Sequence, residues 1–159
     1  MSRMNIETLI VPTDFSDNAK AVYPVAADMA RAFGAKIHLV HVFEAGLYFS
    51  ASAVDAYAVL AASPAGWLDT KIVENEQLLI TTGQNLAKDF PGIDVTTKML
   101  KGNPVKELTH YAGDQKSPMI VISTHGYTGF THAVLGSIAE RIVRTSPCPV
   151  LTIRPSTGK

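Results

Sequence analysis

The stretch that decides the fold is residues 119–137, MIVISTHGYTGFTHAVLGS, where a short apolar run passes through a glycine-containing loop to Gly136-Ser137. The length and β-branched content of residues 119–122 are typical of a strand that is buried on both faces. A segment with helical spacing begins at Ser137. A strand that passes through a loop into a helix is the unit from which α/β proteins are built.

The rest of the chain repeats this alternation. Apolar runs predict the other strands, and steps of three and four between apolar residues predict the helices. The predicted strands cover residues 8–11, 36–43, 93–99, 119–122 and 150–153, and the predicted helices cover residues 16–34, 69–90, 104–113 and 137–144. Strands joined by helices imply right-handed crossovers and a parallel sheet with helices on both faces. One face of the third strand is more polar than the other, which favours a position at the edge of the sheet.

Individual residues mark where the helices begin and end. Ser16 can cap the first helix and Gly34 can end it. Pro24 lies inside that predicted helix, and we expect it to bend the helix because its ring removes a backbone donor. Asn103 can cap the helix that follows the third strand. The segment between the second strand and the next helix is less regular, and residues 54–62 within it could form a short helix.

Composition limits the class of protein. A chain of 159 residues that is 47% apolar is predicted to form one domain over residues 1–159, with a core that needs no disulfide. Fourteen basic residues balance fourteen acidic ones, so charge gives no reason to expect nucleic acid or an anionic membrane as a partner. The start lacks a signal-peptide pattern, the uncharged runs are too short to span a bilayer, and Cys148 is the single cysteine. These features predict a cytoplasmic protein.

The loop of the opening stretch indicates phosphate binding. Gly136-Ser137 lies at a helix start, where free N–H groups and the helix dipole favour an anion. Gly126 lies where the chain leaves a buried strand, which is the usual ligand-binding end of such a sheet. The alternative is that these glycines only form turns. The chain has no Walker sequence and no dinucleotide fingerprint after the first strand, so neither of those phosphate loops is present.

Asp14 follows the first strand. If the first and fourth strands are neighbours, the crevice between them holds both loops, and the Asp14 carboxylate could accept hydrogen bonds from ribose hydroxyls. A role as a turn or cap residue before the helix is equally compatible with the sequence.

Five histidines raise the question of a metal site. His38 and His41 lie three apart on a strand and therefore face opposite sides of it. The other spacings do not match a ligand pattern either, so packing or surface roles are favoured. His125 is the exception, because it lies inside the phosphate loop and could contact a ligand. Cys148 has no activating neighbours in the sequence, which favours a structural role over catalysis. We predict no catalytic residue and no metal site made by the protein itself.

Four motifs in order along the chain resemble the universal stress protein family. They are residues 11–16 (VPTDFS), residues 40–42 (VHV), the loop from Gly126 to Gly136-Ser137, and residues 147–150 (PCPV). The resemblance implies an α/β fold with a doubly wound five-stranded parallel sheet in the order 3-2-1-4-5. It also implies ATP binding, or binding of ADP or AMP, with Mg²⁺ or Mn²⁺ on the nucleotide phosphates.

The resemblance also implies the site. Pro12, Thr13 and Asp14 would line the adenosine side, Val42 would contact adenine, and the glycine loop would hold the phosphates. The full set of implied nucleotide-binding residues is Pro12, Thr13, Asp14, Val42, Ser123, Thr124, His125, Gly126, Gly129, Gly136, Ser137 and Ile138. The chain departs from the family pattern at Ser123, where that pattern has glycine. Ser123 either weakens nucleotide contact or adds a hydroxyl donor.

Three functions are compatible with these residues. The favoured one is a stress-response protein that binds ATP and changes its shape or its partners, including a protein partner that the sequence does not name. A slow Mg²⁺- or Mn²⁺-dependent ATPase and an interaction protein with a vestigial site are the alternatives. Phosphoryl transfer needs positioned charge, and Asp14 is the one carboxylate near the loops. The family resemblance further implies a homodimer that pairs the last strand, Val150–Ile153, with its copy. An apolar edge strand without cover would need such protection.

Overall fold

The computed structural model describes residues 5–48, 61–125 and 135–155. Their strands form one parallel sheet in the order β3-β2-β1-β4-β5. The strands are β1 (Thr8–Pro12), β2 (Lys36–Phe43), β3 (Val95–Lys101), β4 (Pro118–Ser123) and β5 (Val150–Ile153). The predicted α/β class and strand order are confirmed, and so is the edge position of β3.

Helices connect these strands within the described ranges. They are α1 (Asp17–Lys20), α2 (Tyr23–Phe33), α3 (Trp67–Asp89), α4 (Pro104–Gly113) and α5 (Ser137–Thr145), and a 3₁₀ turn covers Ala45–Tyr48. None of the helices in the described ranges has the length and apolar character needed to cross a membrane. The short helix predicted for residues 54–62 falls mainly outside the described residues.

Both faces of the sheet are covered. Leu9 and Val11 of β1 belong to an apolar cluster with residues of α2 and α3, whereas Ile10 belongs to a second cluster with residues of α4 and α5. Successive side chains of a strand point to opposite faces, so this division means that helices lie on both sides. All three side chains are fully buried. The sheet is therefore doubly wound, and β1 is its centre.

The expectation that Pro24 bends one long helix is wrong. The segment forms two helices, α1 and α2, and Pro24 lies in the first turn of α2. Proline is tolerated there because the first-turn N–H groups have no intrahelical acceptor. Ser16 caps α1 as predicted, since its Oγ accepts the Ala19 N–H at 3.2 Å, and Gly34 ends α2 in the left-handed conformation at φ 67°.

Helix α3 begins two residues earlier than predicted, directly after Gly66 in the left-handed conformation. It packs against β3 at Gly83, where a Cβ would lie closer to Thr97 Cγ2 than two carbon atoms can approach. A glycine in a helix interior is normally unfavourable. Here the missing side chain allows the helix to lie against the edge strand.

We predict that Gly83→Ala lowers the free energy of unfolding by about 1–3 kcal/mol, because the added methyl overpacks the contact with Thr97. Urea unfolding measures the change. With Thr97→Ala as the background, Gly83→Ala should become neutral or stabilising, since alanine is favoured over glycine in helices by about 1 kcal/mol. Gly46→Ala is the matched control, because among the described residues no atom beyond its two chain neighbours lies within 4 Å of the position its Cβ would take. Equal destabilisation in both Thr97 backgrounds would contradict the packing explanation.

Candidate functional site

The point where the chain connections diverge lies between β1 and β4. These strands pair in parallel, while β2 lies on the other side of β1 and β5 on the other side of β4. Ligands of open α/β sheets bind in the crevice outside the carboxyl ends of strands at such a point. The segments at this edge of the sheet are Thr13 and Asp14 after β1, Ser123 at the end of β4 with Thr124 and His125 after it, and the start of α5.

Gly136 lies against the residue that follows β4. Its N–H donates to the Thr124 carbonyl at 2.7 Å, and a Cβ at Gly136 would lie 2.9 Å from that same oxygen. The Gly136 N–H is therefore engaged within the protein. Glycine is needed here because the start of α5 approaches the β4 backbone more closely than any side chain allows.

The N–H groups beyond Gly136 have no backbone acceptor among the residues that the structure describes. In an α-helix the first N–H groups lack intrahelical acceptors, which in α5 applies to Ser137, Ile138 and Ala139. No described side chain caps this end of the helix. Ser137 and Ile138 are both exposed. A helix start of this kind is typical of sites that bind an anion.

Thr13 organises the loop after β1. It is 5% exposed. Its N–H donates to the Val40 carbonyl at 2.8 Å, its Oγ1 accepts the Phe15 N–H at 3.0 Å, and the same Oγ1 lies 3.0 Å from the Tyr23 hydroxyl. Its carbonyl lies 2.8 Å from His41 Nδ1. Because these polar groups bond within the protein, Thr13 fixes the shape of the loop.

Asp14 forms a turn with its own loop. Its Oδ1 accepts the Ser16 N–H at 3.0 Å and the Ser16 hydroxyl at 2.5 Å. The turn role that the sequence left open is therefore present. The Asp14 residue is half-buried, and its second carboxylate oxygen, Oδ2, is a further hydrogen-bond acceptor.

Ser123 ends β4 and is 8% exposed. Its Oγ accepts the N–H of His125 at 3.3 Å. His125 in turn places Nδ1 at 2.8 Å from the Thr124 hydroxyl. The Ser123 hydroxyl thus supports the backbone as the chain leaves the strand.

The remaining predicted residues divide into two groups. Pro12 ends β1 and is half-buried, and Val42 is half-buried at the carboxyl end of β2, packed against the second cluster. Gly126 and Gly129 lie outside the described residues. The structure therefore brings together the loops after β1 and β4 and the start of α5.

Sequence reasoning missed three residues that shape the site. The Tyr23 hydroxyl bonds Thr13, Phe15 adopts a positive φ of 65°, and the His41 ring lies 4.4 Å from the Phe15 ring. The sequence favours only a packing or surface role for His41. A usable signal is its position near the carboxyl end of the second strand, at the same edge of the sheet as Asp14.

Burial shifts the pKa of two groups beside the site. It lowers the pKa of His41, and the Thr13 carbonyl, the Asp14 charge and a hydrogen bond with Asn75 oppose that shift. It raises the pKa of the Tyr23 phenol, so the hydroxyl stays neutral and remains able to donate. The carbonyl of Thr13 can only accept, so neutral His41 carries its proton on Nδ1.

A groove of about 770 Å³ lies at the opposite end of the sheet, around the starts of β1 and β2. Among its lining residues are Arg31 and Lys36, together with Lys116, which pairs with Glu7 at 2.9 Å. The exposed helix start and the ordered loop after β1 lie at the carboxyl-end crevice and not at this groove. No cluster of three or more histidine, cysteine, aspartate or glutamate side chains suited to a metal ion occurs in the described ranges.

The family model described as the universal stress protein family matches residues 5–154. The chain therefore belongs to that family. A curated relative, universal stress protein MJ0531 of Methanocaldococcus jannaschii, is 29% identical over 147 residues, which cover 92% of this chain and 81% of the relative.

Solved structures show the same fold. Universal stress protein UspA of Lactobacillus plantarum is 22% identical with a TM-score of 0.75, covering 96% of this chain and 100% of that one. A universal stress protein in complex with cAMP is 24% identical with a TM-score of 0.61, covering 96% and 99%. One from Archaeoglobus fulgidus in complex with dAMP is 19% identical with a TM-score of 0.63, covering 95% and 99%.

We predict that stability declines as pH falls from 7.5 to 5.5. Burial also lowers the pKa of His38, whose Nδ1 lies 2.9 Å from the Tyr111 hydroxyl, and the Lys36 charge adds to that effect. As pH falls past about 6.5, the unfolded chain takes up protons before the folded chain does. The free energy of unfolding therefore decreases by up to about 1.4 kcal/mol per pH unit for each such histidine.

Urea unfolding at several pH values measures this slope. His38→Gln should reduce the slope, because it removes one of the two histidines whose pKa burial lowers. A His38→Gln slope equal to that of the wild-type chain would contradict the assignment.

Proposed function

We propose that this universal stress protein binds an adenine nucleotide at the carboxyl ends of β1 and β4 and acts through nucleotide-dependent changes in shape or partners. The observation that carries the proposal is the exposed start of α5, held against the β4 backbone by the 2.7 Å bond from Gly136 to Thr124. Two proteins of the same fold have been solved in complex with cAMP and dAMP. ATP is the ligand that we favour, with ADP or AMP as alternatives.

The phosphates belong at the start of α5. The N–H groups of Ser137, Ile138 and Ala139 point out of the helix start, and the positive end of the helix dipole favours anions. The Ser137 hydroxyl is an additional donor. Gly126 and Gly129 complete the phosphate loop in this proposal, and Mg²⁺ or Mn²⁺ would be carried on the phosphates themselves.

The adenosine belongs on the β1 and β2 side. Pro12 and Val42 supply half-buried apolar surface at the ends of these strands, which suits a base. Asp14 is half-buried in the loop after β1, and its Oδ2 is suited to accept ribose hydroxyls. Ser123 and His125 support the β4 side of the same crevice.

Regulation fits the site better than turnover does. Hydrolysis needs a group that orients water, and the Asp14 Oδ1 is already engaged by the N–H and hydroxyl of Ser16. The alternative is slow ATP hydrolysis, which a phosphate-release assay would detect. Loss of the released phosphate in Asp14→Asn would show that this chain, and not a contaminating enzyme, hydrolyses ATP.

We predict that Asp14→Asn weakens ATP binding by about tenfold to a hundredfold. Asparagine keeps the turn bond to Ser16 but loses the charge and one acceptor, and a hydrogen bond to a charged group contributes about 1.5–3 kcal/mol. Calorimetric titration with ATP and Mg²⁺ measures the change. Asp17→Asn is the matched control, because that carboxylate is 99% exposed and pairs with Lys20 at the surface.

Unchanged affinity in Asp14→Asn would overturn the placement of the ribose. No binding of ATP, ADP or AMP to the wild-type chain at millimolar concentration would overturn the proposal as a whole and leave the interaction protein with a vestigial site.

We also propose that the chain forms a homodimer through β5. Within the described sheet β5 has a neighbour on one side only, β4. The carbonyls of Pro149 and Ile153 accept hydrogen bonds from β4 and the residue after it, at 3.0 and 2.8 Å. Since N–H and C=O directions alternate along a strand, the backbone groups of Val150 and Thr152 point to the free edge. Pairing with the same strand of a second copy would satisfy them.

We predict that Thr152→Pro converts the dimer to a monomer. Proline removes the outward N–H while leaving the bonds to β4 in place, and edge strands tolerate it. Thr152→Ala, which keeps the N–H, should remain dimeric. Light scattering after size-exclusion chromatography gives the mass. A Thr152→Pro dimer, or a monomeric wild-type chain, would rule out assembly through this edge.

A further inference from the structure

We propose that His41 is a positioning residue for ribose recognition, and that its Nδ1–H bond to the Thr13 carbonyl sets the orientation of Asp14. The inference rests on the proposed nucleotide function and adds a residue that does not itself touch the ligand. The bond is 2.8 Å long, and it joins the carboxyl end of β2 to the residue immediately before Asp14.

The loop that His41 supports is a strained one. Phe15 has a φ of 65°. This conformation is unfavourable for any residue other than glycine, and it persists only where the surrounding structure holds it. The Phe15 ring lies 4.4 Å from the His41 ring at an interplanar angle of 37°. His41 therefore contacts the residues on both sides of Asp14, through a hydrogen bond on one side and a ring contact on the other.

His41 is itself fixed by a third element. The side chain of Asn75 on α3 lies close enough to the ring to raise its pKa, and the Asn75 amide nitrogen donates to the Lys71 carbonyl at 2.8 Å. The imidazole thus links β2, α3 and the loop after β1. This linkage fixes the backbone from which the Asp14 side chain extends, and the Ser16 bonds hold Oδ1, so together they set the direction of Oδ2.

The alternative is a purely structural role, in which His41 stabilises the loop without affecting ligand choice. The two roles differ in one respect. A positioning residue matters for ligands that carry ribose hydroxyls and is neutral for ligands that lack them, whereas loss of a structural residue weakens the binding of both alike.

The test compares ATP with 2′,3′-dideoxy-ATP by calorimetry in the wild-type chain, His41→Phe and His41→Asn, each with Mg²⁺. Phenylalanine keeps a ring against Phe15 but has no donor, and asparagine can place an N–H close to the position of Nδ1. Circular dichroism melting confirms that each variant is folded. The wild-type chain should prefer ATP by about tenfold, on the scale of one hydrogen bond to a charged group.

The expected result is that His41→Phe loses this preference by weakening ATP alone, and that His41→Asn keeps it. A preserved preference in His41→Phe, whether or not both affinities fall, overturns the inference and leaves the proposed function standing. Loss of the preference in both variants overturns the assignment to the Nδ1 donor. If the wild-type chain binds neither nucleotide, the proposed function fails and the inference fails with it. If it binds both equally, the contact of Asp14 with ribose is wrong and so is the role of His41.

Discussion

The structure depends on the position of β1 between two parallel neighbours. Its side chains are buried on both faces, its residues pair with β2 on one side and β4 on the other, and the connections beyond those neighbours run in opposite directions. That arrangement leaves a crevice at the carboxyl end of β1. Thr13 follows β1 and bonds to β2 and α2, so the loop that carries Asp14 is anchored to the most buried part of the protein.

Much of this can be predicted from sequence because it follows from local patterns. The strands are short runs of branched apolar residues, and a parallel sheet with helices on both faces is what such runs produce when helices separate them. Caps such as Ser16 and Asn103 are predicted correctly because each acts on N–H groups within three residues of itself. The strand order comes from the family resemblance, since the alternation of strands and helices does not determine which strands pair.

Most of the errors have a common physical origin in contacts between segments distant in sequence. The sequence marks Gly136 as part of a phosphate loop but does not reveal that the carbonyl of Thr124 takes its N–H. The sequence does not reveal the role of His41, because its partners are distant along the chain. They are Thr13, 28 residues before it, and a side chain of α3. The error at Pro24 is local. We expect a bend within one helix, but a proline loses least hydrogen bonding in the first turn of a helix, and α2 begins there.

The most direct test of the central claim is a titration of the ¹⁵N-labelled wild-type chain with ATP and Mg²⁺, followed by amide chemical shifts. We predict that the amides of Thr13–Ser16 and of Ser137–Ala139 shift together with one saturation curve, because one ligand bridges the loop after β1 and the start of α5. Shifts confined to residues around the groove at the other end of the sheet, such as Arg31 and Lys36, would contradict the account, as would the absence of any shift at millimolar nucleotide.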